Sequence, residues 1–160
     1  MEKWDAYDRN FRKIENVELI RGEPVPEGMY HIVVQTTVRH TDGTWLLMQR
    51  DPRKPAGGMW EVTAAGSALQ GETPEQAAAR ELREETGIRA GRLEPIREVW
   101  LTNAVIFSFF CETDCPKDSV TLQELETVAY RWVTTEELLA MGDDELLTRR
   151  VRETVEAMGK

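Results

Sequence analysis

The sequence predicts an α/β domain in which strands outnumber helices, and three observations predict it. Five short apolar runs, each bounded by turn residues, have the length and composition of strands. Between residues 73 and 87 one helix carries a start, a body and a stop in order. The last 25 or so residues place apolar side chains at helical spacing. At 160 residues the chain has the length of one domain and can bury roughly two-thirds of its unfolded surface, so 1–160 is expected to be a single unit.

In chain order, residues 1–28 hold scattered apolar positions and the Pro24/Pro26 pair, which suits an N-terminal arm or added edge strand. Residues 30–39 and 45–50 are strand-like and flank His40-Thr41-Asp42-Gly43-Thr44, whose Asp-Gly step is a strong hairpin signal. The Pro/Gly-rich stretch 51–58 is a loop. Residues 94–102 and 105–112 form a further β pair turning near Asn103, and 128–133 adds one more strand. Thr134-Thr135-Glu136-Glu137-Leu138 opens a short helix. From Asp143/Asp144 to Met158, Leu146, Leu147, Val151, Val155 and Met158 recur at helical spacing, so C-terminal helices are expected over 135–159.

The central helix is the most completely specified element. Thr73 is a good N-cap, Pro74 suits the first helical position, Gln76 completes a capping box and Gly87 supplies a left-handed stop, which predicts a helix over 74–86. At about 100° per residue, Glu81, Glu84 and Glu85 fall in one arc, while Ala78, Ala79, Leu82 and Thr86 occupy the adjoining, core-facing arc. Like charges one turn apart repel by a few tenths of a kcal/mol even in water. Arg80 can pair with Glu84, but one guanidinium does not neutralise three carboxylates. A divalent Mg²⁺ or Mn²⁺, which prefers carboxylate oxygens and phosphates, would do so; a solvated acidic face is the alternative.

The preceding turn extends this pattern. Gly66, Glu72, Arg80-Glu81-Leu82, Glu84-Glu85 and Gly87-Ile88 stand at the spacing of every fixed position of the Nudix box, and a chance match in a chain of this length is roughly one in ten million. The chain therefore resembles the Nudix family. That resemblance implies a loop-helix-loop over 66–88 on an α/β/α sandwich with a mixed β-sheet. It implies hydrolysis of a diphosphate linkage in a small molecule by water attack on phosphorus. Glu81, Glu84 and Glu85 would ligate Mg²⁺ or Mn²⁺, with the Gly66 carbonyl as a further ligand, and Glu72 and Arg80 would orient the loop and the glutamates. The catalytic set is then Arg80, Glu84 and Glu85, with the general base drawn from the helix or from the loop before the last strand. There Glu126 is preferred to Glu124, although an exposed loop carboxylate is the plainer reading of either.

Further stretches, Trp4-Asp-Ala-Tyr-Asp8, Arg21-Gly-Glu-Pro, Glu27-Gly-Met-Tyr-His31 and Met59-Trp-Glu-Val-Thr63, are similar to the Nudix branch related to isopentenyl-diphosphate isomerase. An isomerase needs a cysteine shortly after the position of Trp60. This chain has Thr63-Ala64-Ala65-Gly66 there, and neither alanine relays a proton. A non-catalytic, nucleotide-sensing Nudix module is a third reading; retention of every box glutamate speaks for hydrolysis instead.

Substrate contacts are less legible. Arg50, Arg53 and Lys54 are candidates to grip phosphate, with a solvated basic loop as the alternative. Trp60, Trp100, Phe107 and Phe109 could stack on a base, but aromatics in β runs are usually core. The formal charge of −9 makes long nucleic acid a poor partner. The N-terminus has no apolar stretch after its charges, as a secretory signal would, and the longest apolar run, 104–111, is too short to span a bilayer, so a cytoplasmic location is expected, with Cys111 and Cys115 as reduced thiols. A homodimer is compatible with the sequence, and nothing in it specifies one.

Overall fold

The computed structural model describes residues 1–147 and 149–158; Gly159, the expected end of the C-terminal helices, lies outside them. The elements are β1 (Lys3–Tyr7), β2 (Lys13–Ile20), β3 (His31–His40), β4 (Trp45–Arg50), β5 (Trp60–Glu61), β6 (Ala64–Ser67), α1 (Pro74–Thr86), β7 (Glu94–Trp100), β8 (Ala104–Thr113), β9 (Thr127–Val133), α2 (Thr135–Ala140) and α3 (Arg149–Met158). The long strand β3 lies parallel to β8, from His31 opposite Ala104 to His40 opposite Thr113, and β7 runs antiparallel to β8. With antiparallel β6, β4, β5 and β9, this makes a seven-stranded mixed sheet.

Strict alternation along β4 shows how the sheet is sandwiched. Trp45 and Leu47 face the core containing Leu138 of α2 and Val151 and Val155 of α3, whereas Leu46 and Met48 face the core containing Leu82 of α1. All four β4 side chains are fully buried. At about 25 cal/mol per Å² of apolar surface, each such burial stabilises the fold by roughly 1.5–3 kcal/mol. The result is an α/β/α sandwich, with α1 on one face and α2 and α3 on the other.

The Asp42-Gly43 turn forms as its sequence predicts. Gly43 takes φ +93°, a conformation that costs glycine nothing, and Asp42 Oδ1 accepts from the Thr44 N–H at 2.9 Å. The strands it joins do not stay together. Only Arg39 pairs with Trp45, after which β3 and β4 splay apart and the segment carrying β5 and β6 enters between them. Thr63 sits at the point of divergence, wholly buried. Its hydroxyl accepts from the Val38 N–H (3.0 Å) and donates to the Leu46 carbonyl (2.7 Å), satisfying backbone groups on both strands.

Two segments differ from the sequence-based expectation. Residues 143–147 are not helical; they run along the edge strand β5, where Trp60 N–H donates to the Glu145 carbonyl (2.7 Å) and Leu147 N–H to the Trp60 carbonyl (2.8 Å). Pairing the open edge of β5 outweighs the helical spacing of Leu146 and Leu147. The N-terminal segment does not extend the main sheet either. β1 and β2 form a separate two-stranded sheet, docked by stacking of Trp4 on His31 (3.9 Å between centroids) and by Asp5 Oδ2 accepting from the Gly71 N–H at 2.8 Å. Among the described residues no helix is long and apolar enough to cross a membrane.

Thr63→Val keeps the shape of this side chain but strands the Val38 donor and the Leu46 acceptor. It is expected to destabilise the fold by about 2–3 kcal/mol in urea unfolding, with Thr63→Ser costing about 1 kcal/mol or less. Equal stability of the valine variant and the parent would contradict the bridging role.

Candidate active site

Helix α1 forms as its signals require. Thr73 Oγ1 accepts from Gln76 N–H, the Gln76 side chain accepts from Thr73 N–H, and Gly87 closes the helix at φ +79°. The loop from Gly66 to Thr73 is drawn onto the helix by Arg80. Its guanidinium makes a two-point pair with Glu72 (2.8 and 3.0 Å) and reaches the Ser67 carbonyl at 3.0 Å, while Glu72 Oε1 accepts from the Leu69 N–H at 2.6 Å. The remaining guanidinium nitrogen donates to Glu81 at 2.8 Å and Glu84 at 3.2 Å. A planar donor fork suits this many-acceptor arrangement as no lysine could.

Gly66 packs directly on the Glu81 carboxyl group. A Cβ at residue 66 would stand 2.3 Å from it, so any side chain there displaces the glutamate. Glu85 is buried one turn along the same face, and Glu84 is at the rim. Burial pushes Glu85 up to about 9, reinforced by the negative charges of Glu81, Glu61 and Glu126. Burial also raises Glu81, against the opposing pull of Arg80. Glu61, on the two-residue strand β5, is raised by burial despite its pair with Arg50 at 2.8 Å. Four carboxylates thus face one another in a partly desolvated place.

Glu81, Glu85 and Glu126 open onto a cleft of about 460 Å³, which among the described residues is bordered by five carboxylates (Glu2, Glu81, Glu84, Glu85 and Glu126) against three cations (Arg21, Lys54 and Arg80). Of the residues expected from sequence, Gly66, Arg80, Glu81, Glu84, Glu85, Lys54 and Glu126 all border this cleft, and Lys54 is ion-paired with Glu126. Arg50 does not border it. Its guanidinium is engaged by Glu61 and by the Pro55 carbonyl at 2.9 Å, so it buttresses the loop and a carboxylate and is turned away from the phosphate-gripping place foreseen for it. Arg53 is held by Asp51 (2.8 Å), and Glu124 lies outside the cleft.

None of Trp60, Trp100, Phe107 and Phe109 lines the cleft; Phe109 is core and Trp60 lies under Arg131 at 5.2 Å. Sequence reasoning missed two contributions. Glu61 joins the carboxylates from a strand too short to show any periodicity. Glu2, Trp4 and Arg21 come from the N-terminal hairpin, which forms a wall of the cleft. Arg80 is ion-paired with both Glu81 and Glu84, and among the described residues no three His, Cys, Asp or Glu side chains are drawn together as an ion cage.

An acid whose folded pKa lies above its unfolded value, near 4.3, costs stability as pH rises from about 4.5 toward 9, because only the unfolded chain ionises freely. In EDTA, Glu85→Gln should therefore be more stable than the parent at pH 7.5, by about 2 kcal/mol or more. The difference should shrink toward zero near pH 4.5 in thermal melts. A variant less stable at pH 7.5 would show that the carboxylate is not strained.

A NUDIX domain model matches residues 29–154. The chain is 35% identical over 145 residues to an uncharacterized Nudix hydrolase of Listeria monocytogenes, covering 88% of this chain and 85% of that protein. It is 27% identical over 146 residues to the isopentenyl-diphosphate Delta-isomerase of Klebsiella pneumoniae, covering 79% of each. The fold matches the crystal structure of DR0079 from Deinococcus radiodurans at a TM-score of 0.72 and 21% identity, over 98% of both chains. With the box residues gathered around one anionic cleft and the match extending over most of the chain, this protein belongs to the Nudix hydrolase family.

Proposed function

We propose that this chain hydrolyses the diphosphate linkage of a small organic diphosphate, such as a nucleoside diphosphate joined to another group, using Mg²⁺ or Mn²⁺. The observation that carries this reading is the convergence of Glu61, Glu81, Glu85 and Glu126, where burial first and the neighbouring negative charges second disfavour an ionised Glu85. An all-oxygen donor set with surplus negative charge fits a hard divalent cation. Glu81, Glu84 and Glu85 would hold it, with the Gly66 carbonyl beside them. When bound, the cation shields the phosphate charge and makes the attacking water more acidic.

The other roles belong to the chain's own groups. Arg80, fixed by Glu72 and Ser67, keeps Glu81 and Glu84 on the cleft side of α1. Lys54 stands at the lip, where a phosphate oxygen can compete with Glu126 for its ammonium group. Release of Glu126 from Lys54 frees a carboxylate to take the proton of water; a helix glutamate is the other candidate. The isomerase relative suggests a second chemistry, but Ala64 is buried in the core and Ala65 offers the cleft only a methyl group.

Glu81→Gln, Glu84→Gln and Glu85→Gln should each lower kcat by about 10²-fold or more on any accepted diphosphate. In ¹⁸O-water, mass spectrometry should find the label on a phosphoryl product. Full activity in excess EDTA, or label only on a carbon-bound hydroxyl, would refute the proposal.

A further inference from the structure

We propose that Glu2, on the N-terminal hairpin, is a specificity-determining residue that selects substrates carrying free hydroxyl groups beyond the diphosphate, of sugar or polyol type. This rests on the hydrolase reading of the cleft, since it names what the N-terminal wall of that cleft holds. Glu2 borders the cleft from immediately before β1, in the separate two-stranded sheet, whereas the other carboxylates there come from α1 and from the loop before β9. Its two oxygens are fixed separately. Oε1 accepts from Trp4 Nε1 at 2.8 Å and Oε2 accepts from Arg21 at 3.1 Å. Each oxygen keeps a second lone pair for another donor, and the side chain is about one-quarter exposed.

The hairpin carrying it is anchored well enough to act as a rigid wall. Trp4 stacks on His31, Gln70 N–H donates to the Lys3 carbonyl (3.0 Å), and Arg21 N–H donates to the Glu2 carbonyl (3.0 Å). A carboxylate held this way is an acceptor for neutral hydroxyls, while a further phosphate facing it is repelled.

The rest of the wall argues against other substrate groups. Among the described residues Trp4 is the only aromatic side chain bordering the cleft; it is 8% exposed, and one ring face is covered by His31, so a base, where the substrate carries one, is not stacked on this wall. Val33 and Ala65 are the remaining hydrophobic residues there, too little apolar surface to hold a prenyl chain. A site that hydrogen-bonds a substrate hydroxyl discriminates strongly against an analogue without it, because its own polar group is then left unpaired.

Two measurements on the full chain test this. Calorimetric binding in Ca²⁺ uses ADP-ribose, UDP-glucose, CDP-glycerol and isopentenyl diphosphate; steady-state kinetics in Mg²⁺ uses the same panel. At least one of the three hydroxylated compounds should bind at least 10-fold more tightly than isopentenyl diphosphate. Glu2→Ala should weaken it by about 10-fold or more, in KM and not in kcat, and Glu2→Gln, which keeps an acceptor oxygen, should recover part of the loss. Thermal melts of both variants should match the parent within a few degrees. Binding of none of the three, tighter binding of isopentenyl diphosphate, or unchanged affinity in Glu2→Ala would overturn the proposal. If Glu2→Ala weakens binding while no compound is turned over, the specificity role stands and the hydrolase reading fails.

Discussion

The Arg80 guanidinium joins the parts that the cleft depends on. It ties Glu72 and the Ser67 carbonyl of the loop to Glu81 and Glu84 of the helix, so one side chain sets both the shape of the turn and the direction of two carboxylates. Its own pKa is driven further up by Glu72 and Glu81, which overcome the cost of its burial, so it stays charged at any pH at which the fold survives. The same residue sets a limit: one positive charge cannot offset Glu81, Glu84 and Glu85 together. What remains uncompensated falls on Glu85, the most buried of the three.

That excess is tolerable because the sheet is built to hold it. Thr63 stitches β3 to β4 at their divergence, which lets β5 and β6 enter between them and brings Glu61 and Gly66 to the same place from one short stretch of chain. Gly66 then admits the Glu81 carboxyl at a distance that no side chain would allow. The geometry of the cleft therefore depends on two small residues, a buried threonine and a glycine, as much as on its acids.

What was legible in the sequence follows the range of the interactions. Helix α1 is specified locally, by a capping box and a left-handed glycine within 15 residues, and it forms over Pro74–Thr86 as predicted. The arc shared by Glu81, Glu84 and Glu85 needs only helical periodicity. The Asp-Gly turn is local too, but the fate of its strands is not, because the partners of β3 are β8 and β6, far along the chain. Likewise the helical spacing of Leu146 and Leu147 gave no hint that the edge of β5 would claim their backbone. The wall made by Glu2, Trp4 and Arg21 depends on an aromatic stack between Trp4 and His31, far apart in the chain, for which a single sequence carries no signal. Arg50 misled for a related reason: its basic loop looks free in sequence, whereas Glu61 lies across the strand pair from it.

On the proposed function, the surplus negative charge around Glu85 takes up a divalent cation. Calorimetric titration of the metal-free protein with Mn²⁺ in two buffers of different ionisation enthalpy measures it directly, through the protons released on binding. With Glu85 protonated at neutral pH, binding at pH 7 should release on the order of one proton per ion, falling toward zero as pH passes about 9. Absence of binding, or binding at pH 7 with no proton release, would contradict the claim.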